Sequence, residues 1–176
     1  MKIYITRHGQ TNNNIKEIFD GSNNIEINNT GIEQAKQVRD ALKNKNIDLI
    51  FCSPKKRTIQ TMEIINSNNI PYIIDNRIDE RNCDALQGQS YSIMYDNFWN
   101  LANEKKYEHV ETLKEIFNRV YDFLDEIKRK YANKTILIIT HNGTSKPIRC
   151  YFEGVFENQD ICNIGINNCE ILEYEI

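Results

Sequence analysis

The sequence is poor in glycine and proline, has an odd number of cysteines and contains no long apolar run. Only 7 glycines and 3 prolines occur among 176 residues, so each of those positions is a stronger turn signal than usual. The 5 cysteines form no C-x-x-C pair, which disfavours a disulfide framework and a zinc site, and we expect reduced thiols in or near the core. No apolar run reaches the roughly 18 residues of a membrane span, so we expect no transmembrane helix.

The charges of the chain are nearly balanced and evenly spread. The formal net charge is -3 and the isoelectric point is about 5.7, with basic residues scattered rather than clustered. This argues against a nucleic-acid or membrane partner, and an anionic substrate would need a local cluster of cations. The N-terminus runs directly into an apolar stretch without a signal peptide, so we expect a cytoplasmic protein. The length and the 40% hydrophobic content suit a single domain over residues 1–176.

The first apolar stretch ends in three residues suited to anion chemistry. Residues 3–5 (Ile-Tyr-Ile) predict a buried strand, and Arg7, His8 and Gly9 follow it. Arginine supplies a planar cation that matches phosphate or carboxylate, and histidine can act as a nucleophile or base near neutral pH. Glycine lets the backbone pass close to a ligand. The tripeptide alone could bind any anion or merely finish a strand.

Apolar stretches alternate with helical patterns along the chain. The predicted strands cover residues 3–5, 47–51, 72–74 and 135–140. The predicted helices begin at a Thr30 capping box, at Ser53-Pro54 and at Val110, and a fourth runs through Pro147. A closing pair of strands is predicted around residues 161–166 and 169–176. The order predicts a three-layer α/β/α fold, with helices on both faces of a mostly parallel sheet and an antiparallel edge strand near the C-terminus.

Two segments between these elements carry weaker patterns. Residues 12–29 are polar and aperiodic, and they are predicted to be a long loop, which at that length is usually functional. Residues 90–109 gather several aromatic side chains that need burial, and they are predicted to form a small helical insert. We expect residues from about 88 to 109 to lie over the site.

The ends of four predicted strands carry charged or nucleophilic residues. Ligand sites in such sheets lie outside the carboxyl ends of the strands, so these residues are expected at one edge. The residues are Arg7 and His8 after the first strand, Arg57 after the second, Glu80 after the third and His141 after the fourth.

This set of side chains suits phosphoryl transfer, in which catalysis is chiefly positioning and charge neutralisation. Arg7, Arg57 and His141 can donate hydrogen bonds to phosphate oxygens. A neutral His8 can attack phosphorus, and Glu80 can protonate the leaving alkoxide and later deprotonate the hydrolytic water. The set demands no metal, and we expect no cofactor.

Taken singly, the same residues have structural explanations. His8 could finish a strand, His141 could be a satisfied core histidine, and Glu80 lies among other loop carboxylates. Arg57 could be a solvated cation, but a positive charge in the first turn opposes the helix dipole, which favours an anionic partner. The combination favours function over these structural interpretations.

The order of the motifs resembles the histidine phosphatase superfamily, which includes the cofactor-dependent phosphoglycerate mutases. The similar stretches are Arg7-His8-Gly9-x-Thr11-x-x-Asn14, Phe19-x-Gly21, Thr30-x-x-x-Gln34-Ala35, Ser53-Pro54-x-x-Arg57-x-x-Gln60-Thr61, Asp79-Glu80-Arg81, Ala85-Leu86-Gln87-Gly88 and the strand ending at His141.

The resemblance implies a role for each matching position. His8 would be the phosphorylated nucleophile, Glu80 the proton donor, and Arg7, Arg57 and His141 the phosphate pocket. Asn14 and the backbone of Gly21 would line that pocket, and Arg81 would help to bind substrate. We also count Asn142 among the candidate binding residues.

Two departures from the family pattern affect the expected activity. The second histidine is commonly followed by glycine, whereas here Asn142 precedes Gly143, and asparagine tolerates the left-handed turn that a glycine would make. The segment between Glu80 and His141 is shorter than in typical mutases, which favours hydrolysis over transfer.

Several functions remain open at this level. The preferred one is a phosphomonoesterase acting on a small phosphorylated metabolite. The alternatives are a phosphoglycerate mutase, an α-ribazole phosphate phosphatase and, from another class, a non-catalytic phospho-ligand binding protein. The predicted edge strand leaves a homodimer possible.

Overall fold

The computed structural model describes residues 1–20, 24–92, 97–154 and 159–176, and its centre is a five-stranded sheet. The spatial order of the strands is β3-β2-β4-β1-β5. All neighbouring strands are parallel except β5, which runs antiparallel to β1 at one edge. The strands are β1 (Lys2–Arg7), β2 (Leu49–Cys52), β3 (Tyr72–Ile74), β4 (Thr135–Thr140) and β5 (Ile171–Glu175).

Helices cover both faces of this sheet. These are α2 (Asn29–Leu42), α3 (Lys56–Ile65), α4 (Leu113–Lys130) and α5 (Asn142–Glu153), and a short helix, α1 (Asn12–Lys16), buries none of its residues. Helices α2 and α3 pack on one face, in a core that includes Leu137 of β4. Helices α4 and α5 pack on the other face, against Ile136 and Ile138 of the same strand. Alternate residues of β4 thus face opposite helical layers, as they do in a strand buried on both sides. The predicted fold class is confirmed.

The register of the parallel strands brings their carboxyl ends to the same level. Arg7 lies opposite Thr140, and Cys52 lies opposite Ile139. The pairing continues one residue further, since the His8 N–H donates to the Thr140 carbonyl at 3.0 Å and the Ser53 N–H donates to the Ile139 carbonyl at 3.1 Å. The side chains that follow β1, β2 and β4 are thereby fixed next to one another.

Two predicted helix caps are wrong in detail. Helix α2 is capped by Asn28, whose side chain accepts from the Gly31 N–H at 2.9 Å, rather than by Thr30. Helix α3 has Lys55 at its N-cap with no side-chain cap bond, so Ser53 does not cap it. Arg57 is nevertheless the second residue of α3, in the first turn as predicted.

Three predicted segments differ from the structure. The expected loop over residues 12–29 contains α1, whose N-terminus is capped by a capping box between Thr11 and Asn14. No α-helix occurs in the described part of residues 90–109, where Phe98 and Trp99 are buried in the core by tertiary packing. The expected strand at residues 161–166 is instead a turn that includes a 3-10 segment, Cys162–Ile164.

Two expectations drawn from what the sequence lacks can be compared with the structure. All five cysteines lie within the described ranges, none of them is joined in a disulfide, and four of them are buried. None of the helices in the described residues is both long and apolar enough to cross a membrane.

Candidate active site

His8 follows β1 directly and is held in one tautomer by its own backbone. Its side chain is buried, and Nδ1 lies 2.8 Å from the Gly9 carbonyl oxygen. Because a carbonyl only accepts hydrogen bonds, Nδ1 carries the proton and Nε2 carries the lone pair. The Arg57 Nε–H donates to this Nε2 at 3.2 Å. The geometry therefore presents Nε2 as a potential nucleophile.

The surroundings of His8 keep its imidazole neutral. Burial, followed by the positive charges of Arg57 and Arg7 and by His141, holds the pKa of His8 well below its usual 6.5. Burial and the nearby guanidinium groups both disfavour an added positive charge. A neutral ring at physiological pH is the form required for nucleophilic attack.

Two arginines at the site keep unused hydrogen-bond donors. Nη1 of Arg57 and Nε of Arg7 are buried without a hydrogen-bond partner in the described residues. The Arg57 side chain is only 2% exposed, and Nη1 of Arg7 donates to the Ile166 carbonyl at 3.3 Å. Buried donors are nearly always paired in native proteins, so these atoms are suited to an anion that enters the site.

His141, the N-cap residue of α5, is supported by a polar chain. Its Nε2 lies 2.7 Å from Ser53 Oγ, and Ser53 Oγ donates to Asp79 Oδ1 at 3.1 Å. Burial opposes ionisation of Asp79, but the hydrogen bond and charge of His141, with Lys55, hold the pKa of Asp79 below its usual range. Burial and the charge of Arg57 lower the pKa of His141. The buried Nδ1 of His141 has no partner in the described residues.

Glu80 reaches the site from the segment after β3 and is held by backbone donors. Its carboxylate accepts from the Arg81 N–H at 2.9 Å and from the Gly143 N–H at 3.3 Å. A Cβ at position 143 would lie 2.3 Å from Glu80 Oε1, so only glycine allows the carboxylate to approach the start of α5 this closely. Arg119 fixes the same segment by donating to the carbonyl oxygens of Arg77, Asp79 and Glu80.

A pocket of about 390 Å³ opens over these groups. His141 does not line it but lies in edge contact with His8, with ring centroids 5.3 Å apart. Gly21 lies outside the described residues. The other predicted site residues all line the pocket, and they are Arg7, His8, Asn14, Arg57, Glu80, Arg81 and Asn142.

Arg81 lines the pocket, but its guanidinium is taken up by protein acceptors. Nε donates to the Glu111 carbonyl, Nη1 to the Phe98 carbonyl and Nη2 to Glu104 Oε1, at distances of 2.7, 2.8 and 2.8 Å. The same guanidinium lies 4.1 Å from the centroid of the Phe98 ring. These contacts make Arg81 a cross-link between the Glu80 segment and the segment around Phe98.

The turn after His141 differs from the expected one. Asn142 is the first residue of α5 and has no positive φ, so no left-handed residue is needed there. Its side chain donates to the Ile166 carbonyl at 2.9 Å. A Cβ on Gly165 would lie 2.5 Å from both terminal atoms of the Asn142 amide. Gly165 therefore makes room for an asparagine at this position.

Sequence reasoning missed several residues of the site. Asp20 and Trp99 line the pocket, and Asp79 Oδ1 lies 3.4 Å from His141 Nε2, with Ser53 Oγ bridging the two. The sequence indicates a helix start and a family-like stretch at Ser53-Pro54 but gives the Ser53 side chain no partner in the site, and Asp20 lies in a segment without periodicity. Among the described residues, no group of three or more His, Cys, Asp or Glu side chains is arranged to hold a metal ion.

Comparison with known proteins agrees with this arrangement. A family model for the histidine phosphatase superfamily (branch 1) matches residues 3–176. The chain belongs to the histidine phosphatase superfamily. Phosphoserine phosphatase 1 of Hydrogenobacter thermophilus is 24% identical over 184 residues, which span 100% of this chain and 85% of the relative.

A mutase and a solved structure are also similar to this chain. The 2,3-bisphosphoglycerate-dependent phosphoglycerate mutase of Cytophaga hutchinsonii is 27% identical over 176 residues, covering 93% of this chain and 82% of the mutase. The structure of Bacillus stearothermophilus YhfR superposes with a TM-score of 0.89 at 21% identity, covering 99% of this chain and 91% of that chain. At that identity the superposition supports the fold alone.

Proposed function

We propose that this histidine phosphatase superfamily member hydrolyses small phosphomonoesters through a phosphohistidine intermediate on His8. The observation that carries the proposal is the juxtaposition of a neutral His8 Nε2 with the unpartnered buried donors of Arg7 and Arg57. A phosphate group would satisfy those donors and bring phosphorus against the nucleophile.

In the first step, His8 Nε2 attacks phosphorus and the bond to the ester oxygen breaks. The Nδ1–H···O=C bond to Gly9 holds the ring in orientation and stabilises the positive charge that develops on it. Glu80 donates a proton to the leaving oxygen, which departs as a neutral alcohol. Arg7, Arg57 and His141 neutralise the phosphoryl oxygens.

In the second step, water attacks phosphorus and the nitrogen–phosphorus bond breaks. Glu80, now a carboxylate, accepts the proton of that water, and inorganic phosphate leaves. Asp79 stabilises a positive charge on His141 while phosphate is bound, because its Oδ1 lies 3.4 Å from His141 Nε2 and Ser53 Oγ bridges the two groups.

The direct experiment measures phosphate release from p-nitrophenyl phosphate and from an alkyl phosphate. We expect His8→Ala to abolish release and Glu80→Gln to lower it mainly for the alkyl ester, whose leaving group needs a proton. His109→Ala is the matched control, since this histidine is 83% exposed at its side chain and lies outside the pocket. Activity retained in His8→Ala would refute the proposal.

Two arginines and a histidine supply the neutralising charge in this mechanism. We therefore expect a chelator to leave the activity unchanged. Loss of activity on chelation, restored by a divalent cation, would show that the charge comes from elsewhere.

A second candidate is phosphoglycerate mutase activity, which the similarity to the Cytophaga hutchinsonii mutase favours. A mutase would interconvert 2- and 3-phosphoglycerate when primed with 2,3-bisphosphoglycerate, and it would keep its phosphoenzyme from water. A phosphatase would release inorganic phosphate from the same compounds. An α-ribazole phosphate phosphatase would differ only in preferring that ester, and a binding protein would release no phosphate from any of them.

A further inference from the structure

We propose that Asp20 is a specificity-determining residue that selects phosphomonoesters whose alcohol carries an ammonium group and no second anionic group. This inference rests on the proposed phosphatase function and specifies its substrate class. It follows from the distribution of charge in the pocket around the predicted phosphate site.

Asp20 is a buried carboxylate that lines the pocket without a full set of partners. Its side chain is 9% exposed, and Oδ1 has no hydrogen-bond partner in the described residues. Oδ2 lies 3.9 Å from Arg57 Nε, which is longer than a hydrogen bond. A buried anion is costly unless it is paired, so Asp20 depends on the positive charge of Arg57.

Phosphate binding would change that balance. The donors of Arg57 would turn to the phosphoryl oxygens, and Asp20 would then lie beside a dianion with less of its countercharge available. A cationic group on the substrate restores the missing charge, whereas an additional anionic group adds to the repulsion. The pocket should therefore discriminate among leaving groups by their charge.

The remaining charged side chains of the pocket act in the same direction. Glu17 also lines it, and Glu80 carries no charge in the first step because it holds the proton for the leaving oxygen, so the carboxylates of Asp20 and Glu17 are the anionic groups among the described lining residues. Arg81 is held by Glu104 and two carbonyl oxygens. Among the described residues that line the pocket, Arg7, Arg57 and Arg81 are the only lysine or arginine residues. Residues 21–23, 93–96 and 155–158 contain no lysine, arginine or histidine in their sequence. A second anionic group would thus find no uncommitted cation.

The test uses three esters that share a two-carbon frame and differ in charge. They are O-phosphoethanolamine with an ammonium group, ethyl phosphate with none, and 2-phosphoglycolate with a carboxylate. For the wild-type protein we expect kcat/KM to fall in that order, by about tenfold at each step, which corresponds to about 1.4 kcal/mol per step. O-Phosphoserine and 3-phosphoglycerate can then extend the series.

Asp20→Asn removes the charge without changing the shape of the side chain. We expect it to reduce the ratio of kcat/KM for O-phosphoethanolamine over 2-phosphoglycolate by at least about tenfold. Because the same ratio is measured in the variant and in wild type, differences in the intrinsic reactivity of the esters cancel. Asp40→Asn is the matched control, because it removes the same charge from an exposed position on α2 outside the pocket, and it should leave the ratio unchanged.

The outcomes separate this inference from the function on which it rests. A wild-type preference for 2-phosphoglycolate, or an equal ratio in wild type and Asp20→Asn, would overturn the role of Asp20 while leaving phosphatase activity intact. The wild-type ratio tests the inference even if the variant folds poorly. Failure of wild type to release phosphate from all three esters and from p-nitrophenyl phosphate would instead overturn the proposed function.

Discussion

Replacing Gly143 with alanine should displace the Glu80 carboxylate and impair proton donation, although Glu80 itself is not mutated. The added Cβ would lie 2.3 Å from Glu80 Oε1, whereas ordinary contacts begin at about 3.4 Å. The carboxylate must therefore move by about 1 Å, since the backbone of α5 is fixed by its own helix. A misplacement of that size costs on the order of 100-fold in rate, or about 2.7 kcal/mol of transition-state stabilisation.

The loss should depend on the leaving group. Ethyl phosphate needs a proton on its departing oxygen, so we expect kcat/KM to fall by about 100-fold, comparable with Glu80→Gln. p-Nitrophenyl phosphate has a leaving group that departs as an anion, so the loss should be less than about tenfold. Stability should not fall much, because alanine is favoured over glycine in a helix by about 1 kcal/mol. This offsets the small shift required of Trp99, whose ring would lie 3.1 Å from the new Cβ.

The assay compares kcat/KM for the two esters in wild type, Gly143→Ala and Glu80→Gln, with thermal unfolding as a check on folding. Gly165→Ala is a matched control, because it adds the same methyl group to the pocket wall but against Asn142 rather than Glu80. It should lack the leaving-group dependence. An equal loss for both esters in Gly143→Ala, or no loss in a well-folded protein, would refute Glu80 as the proton donor.

Two further predictions concern stability. The pKa values of His8 and His141 are lowered by burial, so the unfolded chain binds more protons just below pH 6.5, and the free energy of unfolding should fall as pH drops from there. Each histidine can change the free energy of unfolding by up to about 1.4 kcal/mol per pH unit. We expect the free energy of unfolding, measured in urea between pH 7 and 5, to depend less on pH in His8→Asn than in wild type. In His109→Asn the dependence on pH should be unchanged. Arg81→Met should lower the free energy of unfolding, measured in urea, by about 3 kcal/mol, because it removes the ion-pair partner of the nearly buried Glu104 and the donors to two carbonyl oxygens. Arg39→Met should lower it little, since Arg39 pairs with Asp40 at the surface. A loss for Arg81→Met no larger than for Arg39→Met would contradict the cross-link.

The alternation of strands and helices was predictable because it depends on local periodicity. The continuous apolar run of β4 and the apolar stripe of α4 indicated a sheet buried between helices, and both elements are present. Parallel strands bring their carboxyl ends to one edge, so the neighbourhood of His8, Arg57 and His141 also followed from the sequence.

The errors arose where tertiary contacts outweigh local preference. Ser53 has the residue type of a helix cap, but its hydroxyl is taken by His141 and Asp79, which are distant in the sequence. Residues 161–166 have the composition of a strand, yet they form a turn whose Cys162 carbonyl accepts from the buried Lys146. No local pattern encodes either contact.

The charge pattern of the pocket could not be predicted from the sequence, because it too depends on tertiary contacts. Arg81 follows Glu80 directly and suggested a substrate contact, but the structure commits its guanidinium to Glu104 and to the carbonyl oxygens of Phe98 and Glu111. Asp20 lies in an aperiodic segment, and only its burial beside Arg57 draws attention to it.

The most direct test of the account is to identify the phosphorylated residue during turnover. The protein is mixed with O-phosphoethanolamine or p-nitrophenyl phosphate, quenched in alkaline denaturant, under which phosphohistidine survives, and analysed by peptide mass spectrometry. We predict one phosphoryl group on the peptide that contains His8, labile to acid and absent from His8→Ala. A phosphoryl group on another residue, or steady release of phosphate with no phosphopeptide at any quench time, would contradict the proposed nucleophile.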